Sequence, residues 1–346
     1  MAGRILSLLA ALVAVRADLD ITNLAPEALD LTSTDAGLVG WLNSCSDGTH
    51  LYLCPRGSIG NPNLARVLLS DFETVEHFDL STASLNSDWG ACFVDAAAGH
   101  VYYVPQTGNY AMRVSTSSFQ LSGIDSFDMS AYGTGYKTGY LDGFVAGGYA
   151  YYAPYGSGNA LHGTALRIDT SDWSTSGMEY LNLAASNSAL VGFTNAIPVG
   201  DDAYFIPLYN APLPNLVSHG NVVKLANYAN FDASGISSLD LGTIDADPNT
   251  GGTQSYLRGF RTGFAFGGYL YLEPNFVADV GLSLTVSRFV RIDLDDFTTS
   301  GVTVVSVAVS TTAAKPCSSA TSSSSATSSD SSSSASRSMS SEEAVM

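Results

Sequence analysis

Positive charge is what this 346-residue chain has least of: Lys and Arg number 14 against 32 Asp and Glu, and the lysines are Lys137, Lys224 and Lys315. The formal net charge is −18. With no basic patch to neutralise phosphates, the composition argues against nucleic acid and anionic membranes as partners. Long apolar runs are missing too, since nothing after residue 17 could span a bilayer. No Asn-x-Ser/Thr acceptor occurs in the chain. Neither a serine nucleophile elbow nor a His/Cys zinc spacing is found, which argues against those two chemistries. A sustained helical period is absent, so the chain is expected to be all-β.

The two ends read as separate from the rest. Residues 1–17 have the layout of a secretory signal, with Arg4 ahead of the apolar run Ile5–Val15 and small residues Val15 and Ala17 at the cleavage positions. A secreted protein of the extracellular space or cell wall is therefore expected. From Cys317 to Met346 the chain is serine-rich and cannot bury enough apolar surface to order itself, so residues 317–346 are expected to be a disordered tail. Its end lacks the hydrophobic stretch of a GPI signal. Residues 18–316 remain as one domain.

Within that domain one template recurs five times. Tyr52, Tyr102, Tyr151, Tyr204 and Tyr271 each stand three residues before a proline: Pro55, Pro105, Pro154, Pro207 and Pro274. Fifteen residues before each proline lies a glycine: Gly40, Gly90, Gly139, Gly192 and Gly259. Each unit carries signals for four short strands. In the third, Tyr140–Val145 and Tyr149–Ala153 flank a Gly147-Gly148 hairpin turn, followed by Ala165–Ile168 and Met178–Leu183. The third strand bears a basic–aliphatic pair (Arg66-Val67, Arg113-Val114, Arg167-Ile168, Lys224-Leu225, Arg291-Ile292) with an aromatic close behind (Phe72, Phe119, Trp173, Phe231, Phe297). The fourth is marked by Phe78-Asp79-Leu80, Phe127-Asp128-Met129, Leu181-Asn182-Leu183 and Leu239-Asp240-Leu241, and the aspartates Asp30, Asp79, Asp128 and Asp240 are expected to cap turns.

The prolines are 50, 49, 53 and 67 residues apart. Four-stranded units of this length point to a β-propeller, with repeats at about 37–88, 89–137, 138–189, 190–253 and 254–310. Leu29-Asp30-Leu31 copies the fourth-strand motif without the strands that should precede it. Five blades are expected, the ring closed by an N-terminal strand at 28–31 in preference to Val302–Val309. Over about residues 28–310 the repeat resembles those of secreted tandem-repeat β-propellers, kelch-like or tachylectin-like in layout. The resemblance implies an architecture and no particular chemistry.

Candidate binding residues lie where the repeat varies. The loops between strands two and three share one face of a propeller, and rigid scaffolds carry function on such loops. They present Tyr155 and His162 in one unit, Tyr209 and His219 in the next. Aromatic rings beside amides suit sugars. Three residues after each repeat glycine stand Asn43, Phe93, Asp142, Asn195 and Thr262, a set expected to line the channel, with Arg261 beside it. Asp245, Asp247 and Asn249 make a candidate calcium loop, although Thr250 and Tyr256 replace the glycine and glutamate of an EF-hand. A propeller glycosidase would need converging carboxylates, with Asp35, Asp88 and Asp142 the candidates by position. Of three possible pairings among Cys45, Cys54, Cys92 and Cys317, Cys54–Cys92 is preferred, leaving Cys45–Cys317 to lock the ring.

The expected role is a monomeric, non-catalytic module binding an extracellular glycan or protein. The rivals are a glycosidase and a calcium-assisted adhesion scaffold.

Overall fold

The computed structural model of the chain describes residues 28–57, 60–85, 87–131, 138–157, 160–211, 217–244, 257–275 and 286–308. Residues 1–27, the Asp245–Asn249 loop, Cys317 and the serine-rich tail lie outside them. The described residues form five four-stranded antiparallel sheets, each laid down in chain order. Their first strands are Trp41–Ser46, Trp89–Asp95, Tyr140–Ala146, Phe193–Val199 and Phe260–Phe266. The second are His50–Pro55, His100–Pro105, Tyr149–Pro154, Asp202–Pro207 and Tyr269–Pro274. The third are Asn63–Leu68, Tyr110–Ser115, Thr164–Asp169, Asn221–Leu225 and Val286–Asp293. The fourth are Val75–Asp79, Ile124–Asp128, Met178–Asn182, Ile236–Asp240 and Val302–Ala308. First strands of consecutive sheets pack on one another, so these strands are innermost and the sheets are arranged as the blades of a β-propeller.

The repeat residues have plain structural duties. Each proline faces the aromatic that opens the inner strand: Trp41 and Pro55, Trp89 and Pro105, Tyr140 and Pro154, Phe193 and Pro207, Phe260 and Pro274. Proline has no N–H to give, so pairing stops there. The four expected aspartate caps are present, and Asn182 adds a fifth. Asp30, Asp79, Asp128, Asn182 and Asp240 each accept the backbone N–H two residues on, at 2.7–3.0 Å, starting a 3-10 turn.

Two expectations about the repeat need correction. Gly40, Gly139, Gly192 and Gly259 have positive φ, whereas Gly90 does not. Asp88 holds their place in the second sheet, its carbonyl accepting Gln106 N–H at 3.1 Å as Gly139 accepts Tyr155 N–H at 2.7 Å. The unit is thus offset by two residues, and Ala91 rather than Phe93 takes the channel register. Phe93 is instead core, stacked on Tyr102 at 5.4 Å. Gly90 is small for another reason: a Cβ there would stand 2.8 Å from the Leu141 carbonyl of the third sheet. The closing strand also differs. Val302–Ala308 pairs with the third strand of the fifth sheet along its whole length and fills the fourth position. Leu31–Ser33 is a 3-10 turn, because Asp30 spends its carboxylate on capping it.

The core lies between the sheets. Tyr52, Cys54 and Leu64 of the first sheet meet Trp89, Val101, Tyr103 and Met112 of the second, all essentially buried. Equivalent layers join the second and third, third and fourth, and fourth and fifth sheets. Each large side chain so buried contributes roughly 1.5–3 kcal/mol.

The third-strand arginines stitch three of these junctions. Arg66 Nη1 donates to Thr116 O at 2.6 Å, Arg113 Nη1 to Thr170 O at 2.7 Å and Arg167 Nη1 to Ala229 O at 2.6 Å, each acceptor belonging to a later sheet's turn. Nη2 of each holds the facing carboxylate of its own fourth strand: Glu76 at 2.8 Å, Asp125 at 2.7 Å and Glu179 at 2.8 Å. The guanidinium lies over the aromatic that follows in the next unit, Phe119 at 4.9 Å, Trp173 at 5.0 Å and Phe231 at 4.9 Å.

The disulfide is Cys45–Cys92, with Cα atoms 5.5 Å apart, and neither expected pairing forms. Both residues lie on inner strands, which pack directly on each other. Cys54 is one strand further out, opposite Asn43, and is a buried free thiol.

Candidate functional site

The starts of the inner strands, the ends of the second strands and the loops that follow share one end of the propeller. After the third and fourth sheets' second strands the chain extends into two small ribbons, Gly156–Ser157 with Ala160–Leu161 and Tyr209–Ala211 with Val217–Ser218. The ribbons pack side by side. This brings Tyr209 near enough to act electrostatically on Tyr155.

Four polar side chains stand at this end, one pair of them bonded. Tyr155 and Tyr209 are half-buried and Arg261 is exposed. Asn275 Nδ2 donates to Tyr209 Oη at 3.3 Å. Burial holds the Tyr155 phenol above its ordinary range, Tyr209 adds to that, and the charge of Arg261 opposes it. Two phenol rings, an amide and a guanidinium thus offer apolar faces beside fixed donors. Asn275 escaped sequence reasoning. Its only signal was its place directly after the repeat proline Pro274, where Arg56, Gln106, Tyr155 and Leu208 stand in the other units.

Below them lies the polar register of the inner strands: Asn43, Asp142, Asn195 and Thr262, with Ala91 in the second sheet. Asn195 Nδ2 donates to Thr262 Oγ1 at 3.1 Å, joining the fourth sheet to the fifth. Asn43 and Asp142 each accept the backbone N–H of the residue that follows, at 2.9 and 2.7 Å. Asp142 is recessed, and burial pushes its carboxyl up to about 7 although the Gly143 N–H pulls it down. Its charge in turn adds to the burial that lifts the Cys54 thiol.

The two histidines sit elsewhere. His162 and His219 are 2% and 3% exposed. His162 Nε2 lies 3.2 Å from Thr138 O and 3.0 Å from Gly139 O, and its ring packs edge-on against Tyr140 at 5.3 Å. His219 packs in the same way on Phe193 at 5.7 Å, with Asn221 Nδ2 3.3 Å from its Nδ1. Burial pushes both imidazoles down to about 4. They position the loops that carry Tyr155 and Tyr209.

The carboxylates suited to hydrolysis are committed differently. Asp35 accepts the Gly37 N–H at 2.7 Å, and Asp88 is buried at the head of the second sheet. Among the described residues no three His, Cys, Asp or Glu side chains gather to hold a metal. No helix among them is long and apolar enough to cross a membrane.

No family model matches this chain, and no curated protein does. Among solved structures it is similar to hydrazine synthase of Kuenenia stuttgartiensis, at 14% identity over 73% of this chain and 64% of that one, with a TM-score of 0.44. A chain of a nidogen/laminin complex gives 12% identity, 74% and 76% coverage and a TM-score of 0.44. U3-55K gives 5%, 75% and 63%, and 0.49. The chain therefore spans less than two thirds of the length of the first and last of these. Likeness at this level carries no function, and the propeller arrangement rests on the sheets themselves.

Proposed function

We propose that the chain is a secreted, non-catalytic binding module that recognises an extracellular or cell-wall glycan at the loop-bearing end of the propeller. The observation that carries this reading is that Asn275 bonds Tyr209 at 3.3 Å while Tyr209 and Arg261 both act electrostatically on the half-buried Tyr155, at the end of the propeller where the polar inner-strand register begins. Phenol rings stack on the apolar faces of sugars, while the amide and guanidinium donate to hydroxyls and ring oxygens. The Cys45–Cys92 disulfide suits an oxidising, extracellular compartment. The low positive charge favours neutral or weakly basic ligands over polyanions.

A glycan array probed with the full chain, and with its Y209A and N275A variants, tests the reading. Retention of one glycan class that both variants weaken about tenfold or more is expected. Loss of retention in chelator would move the site to the Asp245–Asn249 loop. Retention that neither variant changes, or none at all, would overturn the proposal.

A further inference from the structure

Asp142 is enclosed and wetted at once. Protein walls it in on nearly every side, as in a core, and yet solvent reaches it. A side chain in that position lines a narrow recess. Asp142, Asn195 and Thr262 hold the same place on three consecutive inner strands, opposite Ala153, Ile206 and Glu273 of their second strands. Those inner strands pack on one another, third on fourth and fourth on fifth. A β-bulge comes just before each of the three, at Leu141, Thr194 and Arg261, and bulges re-aim the side chains around them. Across the wall of the recess the groups are therefore carboxyl, amide and hydroxyl.

Hydrogen bonds set which way these groups face. Asp142 Oδ1 accepts the Gly143 N–H at 2.7 Å, which leaves Oδ2 for another donor. Asn195 Nδ2 donates to Thr262 Oγ1 at 3.1 Å. An amide carries its oxygen on the side away from its nitrogen, so the Asn195 carbonyl turns back toward the third strand, the side of Asp142. A carboxylate is the stronger acceptor, but this amide gives its N–H to the hydroxyl of the fifth sheet instead. Two acceptor oxygens thus adjoin on neighbouring strands, an arrangement that is favourable with a donor between them. Burial pushes the Asp142 carboxyl up to about 7 against the pull of the Gly143 N–H, with no cationic side chain among the described residues taking part. The other ionisable groups of this layer are the Cys54 thiol, on which Asp142 acts, Glu273 opposite Thr262, and Arg261 just before it.

We infer that this recess binds a small organic cation through its primary ammonium group, with Asp142 Oδ2 and Asn195 Oδ1 each accepting one N–H. The donor set selects the class. A primary ammonium brings one charge and several N–H donors, which match one carboxylate and one amide oxygen, and charge-assisted bonds are strong in an enclosed site. Ca²⁺ calls for about six to eight oxygens, commonly from several carboxylates, and the wall offers one carboxylate. An anion would meet a charge of its own sign. The chain as a whole, at a net −18, draws cations toward it. Binding exchanges one charge for another: the ammonium enters and the carboxyl releases its proton to solvent. The site uses none of Tyr155, Tyr209, Asn275 and Arg261, so it stands or falls separately from the glycan reading.

Methylammonium is the probe, titrated into the full chain labelled with ¹³Cγ-aspartate, with ionic strength held constant by NaCl. At pH 8 the aspartate signal that is missing from Asp142→Asn should shift saturably. The affinity should fall about tenfold from pH 8 to pH 6, because a proton competes for a carboxyl that titrates near 7. By calorimetry, Asp142→Asn should bind about tenfold more weakly or worse, and Asn195→Ala about threefold, each checked as folded by circular dichroism. Asn195→Ala keeps the test decisive if Asp142→Asn does not fold. Tetramethylammonium, which has the charge and no N–H, should bind about fivefold more weakly than methylammonium. Equal binding of these two cations, an affinity that either substitution leaves unchanged, tighter binding of Ca²⁺, or no saturable shift would overturn the inference.

Discussion

Replacing Arg167 with alanine probes the stitching of the propeller most directly, because its surroundings are fully described. The side chain is 8% exposed, donates to Ala229 O at 2.6 Å and Glu179 at 2.8 Å, and lies over Tyr149 at 4.3 Å and Phe231 at 4.9 Å. Glu179 is 49% exposed and can rehydrate when left alone, so that ion pair accounts for only about 0.5 kcal/mol. The buried bond to Ala229 contributes about 1.5 kcal/mol or more, since a charged donor is lost to a carbonyl that stays covered. The two rings add about 0.5 kcal/mol each. Urea unfolding should thus show a loss of about 3 kcal/mol, equivalent to a fall in Tm of roughly 6–9 °C for a unit of this size. Arg167→Lys keeps the charge and loses the fork, so it should recover less than half of the deficit. A loss below about 1 kcal/mol for alanine, or full rescue by lysine, would refute this assignment of energy to geometry.

Other consequences are as direct. The Cys45–Cys92 bond closes a segment of 47 residues. Its reduction, or Cys45→Ser, should cost about 4 kcal/mol if unfolded-chain entropy dominates. Under native conditions Cys54 should resist iodoacetamide until the chain unfolds, as peptide mapping would show, since burial both covers its thiol and lifts its pKa. Asp142 makes stability depend on pH. Its folded pKa of about 7 exceeds the unfolded value, so the native state holds the extra proton in between and loses stability as pH rises from about 4 to 7. Asp142→Asn removes that loss, and the Tm gap between variant and parent should widen over this window and level off above it. His162 and His219, depressed to about 4, act oppositely by favouring the fold as pH rises through the same range. The difference between the two proteins cancels them. A gap independent of pH would show that Asp142 is solvated.

The architecture was legible because its signals are local and repeated. Tyrosine, proline and capping aspartate each act within their own strand or turn, so five copies at one spacing specify five similar sheets. What was misread depended on neighbours. The fifteen-residue spacing aligned Gly90 with the other glycines, although Gly90 answers to the Leu141 backbone of another sheet. The cysteines were paired by where strands end, whereas the bond follows which strands are innermost. The terminal strand was chosen by motif, and Asp30 made that motif a cap rather than a strand. The basic residue of the third strand was visible in every unit, but the role of the arginines spans two units and cannot be read within one. At the candidate site Tyr155 and Tyr209 stood out as aromatics in loops of unequal length. Asn275 joins them only through the packing of two ribbons and a third sheet.

The junctions are not equal, and the inequality follows the chain. The first is stitched by Arg66 and the Cys45–Cys92 bond, the second and third by Arg113 and Arg167. In the fourth sheet Lys224 stands in the arginine's place. Its ammonium pairs with Asp202 at 2.7 Å and sits 5.8 Å from Tyr204, both in its own sheet. Lysine lacks the fork that holds one carboxylate and one distant carbonyl at once, so the fourth and fifth sheets are joined by apolar packing and by uncharged bonds that include Thr194 Oγ1 to Phe260 O at 3.2 Å, Asn195 Nδ2 to Thr262 Oγ1 at 3.1 Å and Gly259 N–H to His219 O at 3.0 Å. Local opening should therefore begin at this junction. A missing stitch of about 3 kcal/mol corresponds to a protection factor roughly a hundredfold lower. Native-state hydrogen exchange should find the central strands of the fifth sheet, around Leu270–Leu272 and Val290–Ile292, exchanging ahead of Val101–Tyr103 in the second. The gap should narrow in Lys224→Arg only if a new partner is found across the junction. Equal protection in all five sheets would mean that the propeller opens as one cooperative unit and that the stitches add to its stability without dividing it.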